Sequence, residues 1–323
     1  MAAAVAEARL HDPGAYARRT HTMKALVTGA TGFVGGGLAR LLAERGHEVR
    51  GLVRDRGRAS DLEAEGFELY EGDVLDPDSL RGAGSGADVG YYLVHSMGRG
   101  GGDDFAERER RAAAAFARMA AAEGVGRVIY LGGLGEPRSE HLRSRAETAT
   151  TLAAEGPPLT YVRAAMVIGA RSESYRTLRY LVERLPAMIA PAWLRNRTQP
   201  IADMDVLEYL AQAGERDDLA GREVQVGGSD VVTYAELLDL MADVLGRRRR
   251  PKLPFPLLSP RLSSHWIGLV TPVDAGVAQP LIESLASETV VTDPAPASLF
   301  DVHPIGSAEA LRRAHAEEAG AHA

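Results

Sequence analysis

The 323-residue chain carries 37 lysines and arginines against 44 aspartates and glutamates, a net charge of −7, and has no cysteine. The acidic balance argues against a nucleic-acid binder, which shows a basic surplus. The absent cysteines exclude disulfides, thiolate metal sites and a cysteine nucleophile, and fit a cytoplasmic protein.

In residues 1–22 the stretch Ala2 to Ala8 is small and weakly apolar, contains Glu7 and has no basic region before it, so the segment reads as a disordered extension rather than a signal peptide. Lys24-Ala25-Leu26-Val27-Thr28 is then a short apolar run suited to a buried parallel strand. Gly29, Gly32 and Gly35 follow at three-residue spacing, and Leu38, Leu41 and Leu42 switch to helical spacing. Strand, glycine turn and helix in this order form a site for a dinucleotide pyrophosphate. The first glycine allows the turn, the second lets the backbone approach phosphate, and the third lets helix pack on strand. Free N–H groups and the helix dipole face the anion.

Further strands are predicted at 47–53, 67–70, 87–94, 127–131 and 159–163. Between them lie a short helix opening at Asp76-Pro77-Asp78, a long alanine-rich helix at 103–123 and another at 139–154. This alternation predicts an α/β fold, a Rossmann-type doubly wound parallel sheet over 23–170, with its ligand at the carboxyl edge. Beyond Gly169 the rhythm is less regular, with helices at 174–184 and 205–214 and a short strand at 223–226. Thr233-Tyr234-Ala235-Glu236 is a capping box that opens a helix running to Gly246. Residues 171–303 read as a smaller lobe interleaved over the cofactor edge, and 304–323 as a flexible tail. The apolar stretch 253–273 is broken by Pro254, Pro256, Pro260, Arg261 and His265 and is too short to span a membrane. The nine histidines show no metal-ligand spacing, so no metal is predicted.

Thr28-Gly29-Ala30-Thr31-Gly32-Phe33-Val34-Gly35 resembles the TGxxGxxG fingerprint of extended and atypical short-chain dehydrogenase/reductases. Gly72-Asp73-Val74 sits where that superfamily meets the adenine amino group. Arg163-Ala164-Ala165-Met166-Val167-Ile168-Gly169 is similar to the segment bordering the nicotinamide. Tyr92-Leu93-Val94-His95-Ser96-Met97-Gly98, Ile129-Tyr130-Leu131-Gly132-Gly133-Leu134-Gly135, Ser139-Glu140-His141-Leu142-Arg143-Ser144-Arg145 and Thr198-Gln199-Pro200-Ile201-Ala202 resemble an atypical subgroup of NmrA-like and YbjT-type NAD(P)H-binding proteins. The resemblance covers roughly residues 23–291. It implies a cofactor site formed by Gly29, Thr31, Gly32, Phe33, Val34, Gly35, Arg54, Asp73, Val74, Val94, Arg145 and Ala165. It also implies a small-molecule substrate, and leaves a homodimer or a protein partner open.

The second strand runs into Val53-Arg54-Asp55-Arg56-Gly57-Arg58. Guanidinium groups at Arg54 and Arg58 suit a 2′-phosphate, whereas Asp55 offers a carboxylate to ribose hydroxyls as in NAD sites. The balance favours NADP(H) over NAD(H).

Short-chain dehydrogenases transfer hydride with a Tyr-x-x-x-Lys pair and a Ser or Thr at the preceding strand end. Here the Tyr position falls on His141, the Lys position on Arg145, and the Ser or Thr position on Gly132 or Gly133. Arg145 does not release a proton, while an imidazole ionises near neutral pH, making His141 a candidate acid or base. His95 and Ser96 lie just past the fourth strand and are further candidates to polarise a carbonyl or hold the nicotinamide ribose. By the resemblance, Gln199 and Asp203 line the substrate side; His265 and Trp266, among apolar residues and prolines, read as core packing of the second lobe ahead of the border of an apolar pocket. The reading is therefore an NAD(P)-dependent oxidoreductase or epimerase-like enzyme, with a non-catalytic redox sensor or nucleotide-holding assembly subunit as the alternative.

Overall fold

The computed structural model describes residues 22–94, 103–137, 139–185, 188–190, 192–254 and 287–321. The expected N-terminal extension, apart from its last residue, lies outside them, as do His95, Ser96, His265 and Trp266. In chain order the first half runs β1 Lys24–Thr28, α1 Phe33–Glu44, β2 Glu48–Val53, α2 Ser60–Ala64, β3 Glu68–Glu71, β4 Val89–Tyr92, α3 Asp103–Ala122, β5 Arg127–Gly133, α4 Glu140–Glu155 and β6 Leu159–Ala164. The second half runs β7 Val167–Ile168, α5 Glu173–Arg184, β8 Met188–Ala190, β9 Arg197–Thr198, β10 Ile201–Ala202, α6 Asp203–Glu215, β11 Glu223–Val226, β12 Val232–Thr233, α7 Tyr234–Val244, β13 Lys252–Pro254 and α8 Ser307–Ala321.

Seven strands form one parallel sheet in the order β11-β6-β5-β4-β1-β2-β3. The sheet is buried on both faces, which is why its strands read as continuous apolar runs rather than alternating ones. Successive side chains still point to opposite sides. Ala25 and Val27 of β1 join one core with Leu38 and Leu42 of α1 and Val206 and Leu210 of α6. Leu26 joins the opposite core with Phe116 of α3 and Leu152 of α4. Tyr91 and Tyr92 divide in the same way, Tyr91 donating to Leu210 O at 3.2 Å and Tyr92 packing on Phe116.

The second half is interleaved with the first more deeply than a boundary at residue 170 suggests. Strand β11 pairs with β6 at the edge of the main sheet, and α6 packs on α1 beneath it. Arg45, after α1, is bound by Glu208 and by Glu215 of α6, the latter at 2.9 Å. The remaining part is a lobe with its own core, built from α5, α7 and α8 around Tyr175, Trp193, Leu237 and Met241. The predicted capping box is present, with Thr233 Oγ1 accepting from Glu236 N at 3.2 Å and Glu236 accepting from Thr233 N at 2.7 Å.

The flexible tail expected at 304–323 is corrected by the structure. Residues Ser307–Ala321 form α8, and Ala310, Leu311 and Ala314 are buried against α7. Ser307 caps the approach by donating to Asp230 Oδ1 at 2.9 Å. Tyr175 of α5 donates to Glu318 at 3.0 Å, tying the far end of the helix to the lobe. Leu311 is 0% exposed, so Leu311→Ala is expected to destabilise the protein by about 2–4 kcal/mol. Urea unfolding reads this directly, and a change below about 0.5 kcal/mol would mean the helix is not part of the folded core.

Candidate functional site

The turn after β1 is shaped by what its glycines leave out. Gly29 has φ of +66°, and a Cβ there would stand 2.9 Å from the carbonyl oxygen of Leu93 at the end of β4. A Cβ on Gly35 would stand 2.2 Å from Gly29 O, so only glycine lets the first turn of α1 lie against the loop. Gly32 N donates to Gly29 O at 2.8 Å and closes the turn. No side chain caps α1 at Gly32, so its first amides remain for an anion at the positive end of the helix.

These residues form one end of a cleft of about 790 Å³, within the range of small-ligand sites. All twelve residues expected to contact the cofactor line it: the six of the turn, Arg54, Asp73, Val74, Val94, Arg145 and Ala165. His141 lines it as well. The cofactor candidates thus converge from five separate strand ends on the carboxyl edge of the sheet. Asp73 is held in place by its own turn, its Oδ1 accepting from Leu75 N at 2.9 Å while its N–H donates to Ser79 Oγ at 2.9 Å.

Asp55 is engaged in its own turn. Asp55 caps the short helical turn that follows, its Oδ1 accepting from Gly57 N at 2.8 Å, and its other oxygen lies 3.7 Å from Arg58. The cleft wall there is made by Arg54 and Arg58, and Asp55 is not part of it. Such an Asx turn was written in Asp55-Arg56-Gly57.

At the opposite end, Arg145 Nε donates to His141 Nε2 at 2.9 Å across one turn of α4. A second donor of the guanidinium reaches Leu131 O at 3.3 Å. Burial, reinforced by the Arg145 charge, holds the His141 pKa down to about 3. The imidazole is therefore neutral at physiological pH with its Nε2 lone pair already committed. The sequence expectation of an imidazole ionising near 7 does not hold in this environment.

The two glycines at the end of β5 also have a packing reason. A Cβ on Gly132 would lie 2.4 Å from Tyr161 Cε2, and one on Gly133 would lie 2.5 Å from Leu142 Cδ2. Tyr161 stacks on the buried Tyr130 with centroids 5.4 Å apart. Its phenol pKa is pushed up by burial, against the charges of Arg163 and Arg145. The space a Ser or Thr hydroxyl would use is filled by neighbouring side chains.

The second lobe supplies the remaining wall, through residues the sequence did not single out. Arg171, Tyr234 and Thr289 all line the cleft. Tyr234 is the first residue of α7 and is 3% exposed. Its hydroxyl lies 3.4 Å from Thr289 Oγ1, which donates to Thr198 Oγ1 at 2.8 Å. Burial raises the Tyr234 pKa, keeping the phenol protonated. Thr289 stands against the loop after β5, where a Cβ on Gly135 would meet its methyl at 3.2 Å. The expected substrate-side roles of Gln199 and Asp203 are corrected, since neither lines the cleft. Gln199 donates to Gly228 O at 2.8 Å and accepts from Val291 N at 3.1 Å, tying loops of the lobe together. Asp203 accepts from Met204 N at 2.8 Å at the start of α6, behind Gly169 and Phe33.

Among the described residues no helix is long and apolar enough to cross a membrane, and no three histidines, cysteines or carboxylates are grouped to hold a metal. Residues 29–178 match the model of an NAD(P)H-binding family. A 2-alkyl-3-oxoalkanoate reductase of Stenotrophomonas maltophilia is 33% identical over 109 residues, 33% of this chain and 32% of that protein. Subunit 9 of the mitochondrial NADH dehydrogenase [ubiquinone] 1 alpha subcomplex of Arabidopsis thaliana is 28% identical over 246 residues, 72% of this chain and 61% of that one. The chain thus covers less than two thirds of either relative. The NADPH-dependent quinone oxidoreductase of Escherichia coli, solved with NADPH, superposes with a TM-score of 0.71 at 19% identity, over 90% of this chain and 98% of that one. The family match, the Rossmann-type sheet and the glycine turn identify residues 29–178 as an NAD(P)H-binding domain, as the resemblance to atypical short-chain dehydrogenase/reductases implied.

Proposed function

We propose that this protein is an NADPH-dependent reductase of a small organic substrate. One observation carries the reading: the cleft that starts at the 29–35 turn continues past Arg145 to a wall built by the second lobe, through Met166, Arg171, Tyr234 and Thr289. A nucleotide seated on the turn leaves that wall facing its reactive end. The residues fit the group, since the turn has no room for Cβ atoms at Gly29 and Gly35 and α1 has no side-chain cap. The uncapped amides of α1 would hold the pyrophosphate, Arg54 and Arg58 the 2′-phosphate, and Asp73 the adenine. The bound nicotinamide supplies a hydride.

The chain's own residues then bind and orient. His141, neutral and accepting from Arg145, fixes the guanidinium, which would stand beside the nicotinamide ribose. With its pKa near 3 it serves as a positioning residue and not as the acid. Tyr234 and Thr289 stand on the substrate side of the cleft, and the phenol stays protonated because it is buried. The name of the Stenotrophomonas relative, a reductase, supports this reading. Mixing the protein with NADPH and panels of ketones, enones and quinones tests it. Oxidation of the cofactor by at least one class is expected, and none across all panels would overturn it.

A second reading, a nucleotide-binding sensor or subunit without turnover, is favoured by the filled positions at Gly132 and Gly133 and by the unprotonated His141. It requires a clear affinity difference between NADP+ and NADPH by calorimetry, together with the absence of turnover.

Two consequences are measurable. Arg54→Gln is expected to weaken NADPH binding by about tenfold or more while leaving NADH within about twofold, because only the 2′-phosphate is lost as a partner. Equal losses for both would remove the preference for NADPH. For His141, the folded pKa is lowered from 6.5 to about 3, so between these values the unfolded chain holds a proton that the folded one does not. Stability therefore falls as pH drops through this window. In His141→Gln, urea midpoints measured from pH 7 to 4 should show a shallower loss, by about one proton; an unchanged slope would place the imidazole in solvent.

A further inference from the structure

Two arginines in the cleft have no hydrogen-bond or ion-pair partner among the described residues, Arg54 and Arg171. Most arginines elsewhere are committed: Arg40 to Glu65, Arg163 to Glu223, Arg176 to Glu173 and Arg197 to Glu288. In an acidic chain, an arginine that lines a cleft with no partner among the described residues is available to an anion that arrives from outside. The two follow strands of different sheets. Arg54 follows β2 of the main sheet, whereas Arg171 follows β7, which pairs with β10 in a separate two-stranded sheet. The first has its anion in the 2′-phosphate. The second belongs to the segment that leads from β7 into α5 of the second lobe.

We infer that Arg171 binds an oxyanion on the substrate, so that the substrate class is a carbonyl compound carrying a carboxylate or phosphate. This rests on the reductase reading and narrows its substrate. The carboxylate nearest in sequence does not compete, because Glu173 accepts from Arg176 Nη1 at 3.0 Å. Charge in the cleft points the same way. Five arginines line it, Arg54, Arg58, Arg108, Arg145 and Arg171, against Asp73 and Glu173, although the whole chain carries −7. The neighbouring wall includes Tyr234, whose hydroxyl lies 3.4 Å from Thr289 Oγ1. Arg171 is a specificity residue and takes no part in bond breaking.

The test uses the full-length protein loaded with NADP+ and calorimetry with three probes: 4-oxopentanoate, its methyl ester and hydroxyacetone phosphate. An anion should bind at least about tenfold tighter than the ester, and whichever of carboxylate and phosphate binds better names the group. Arg171→Leu should remove that advantage without moving ester affinity, Arg171→Lys should retain part of it, and NADPH affinity should stay within about twofold in both. An ester that binds as well as the acids, or an Arg171→Leu protein that still prefers them, overturns the inference. Binding is read without turnover, so a protein that binds the anion and never oxidises NADPH would sink the reductase reading alone.

Discussion

The contact between Gly35 and the carbonyl of Gly29 is the constraint on which the rest of the cleft depends. With 2.2 Å between that oxygen and any Cβ at position 35, helix α1 starts directly behind β1 only because the side chain is absent. A methyl group there would push the helix outward. Its amides would then no longer converge on the turn, and its inner face, Leu38 and Leu42, would lift from the sheet. The same displacement would disturb α6, which packs on α1 and carries the chain back toward β11. One missing Cβ thus couples the nucleotide site to the packing of both halves.

Charge is distributed by the same economy of position. The protein is acidic, yet its cleft is cationic, because carboxylates close to the cleft arginines are engaged in local structure. Asp55 caps its own turn and Glu173 holds Arg176. Each engagement is worth little in stability, being near the surface. Asp55 still pairs with Arg58 at 3.7 Å, but it leaves Arg54 without a carboxylate partner among the described residues. The proposed preference for NADPH rests on where Asp55 points rather than on how many arginines are nearby.

What was legible in the sequence is what is decided locally. Strands β1 to β6, the glycine turn and the Thr233 cap are patterns within a few residues, and β11 was readable at Glu223–Val226, although its place in the main sheet was not. Helix α8 escaped notice because its buried stripe is Ala310, Leu311 and Ala314, with one large apolar residue among small ones. Such a stripe barely differs from an alanine-rich tail until its groove against α7 is known. Arg171, Tyr234 and Thr289 come from three distant stretches, and only the folding of the second lobe puts them on one wall. His141 was legible as a position but not as a chemical state, because its low pKa comes from burial and from Arg145.

That state belongs to a packed unit rather than to one residue. Placing a serine at Gly132 would drive its Cβ into the Tyr161 ring at 2.4 Å, and at Gly133 into Leu142 at 2.5 Å. Tyr161 in turn stacks on Tyr130, a fully buried ring between β5 and the α3 layer, so it has no room to withdraw. Putting a tyrosine at 141 would leave Arg145 without the acceptor that now orients it. The departure from the Tyr-x-x-x-Lys pattern is therefore spread over at least four positions that fit only with one another. A single reversion would cost packing without restoring proton transfer, and the chemistry of this cleft has to be sought in the groups it now holds.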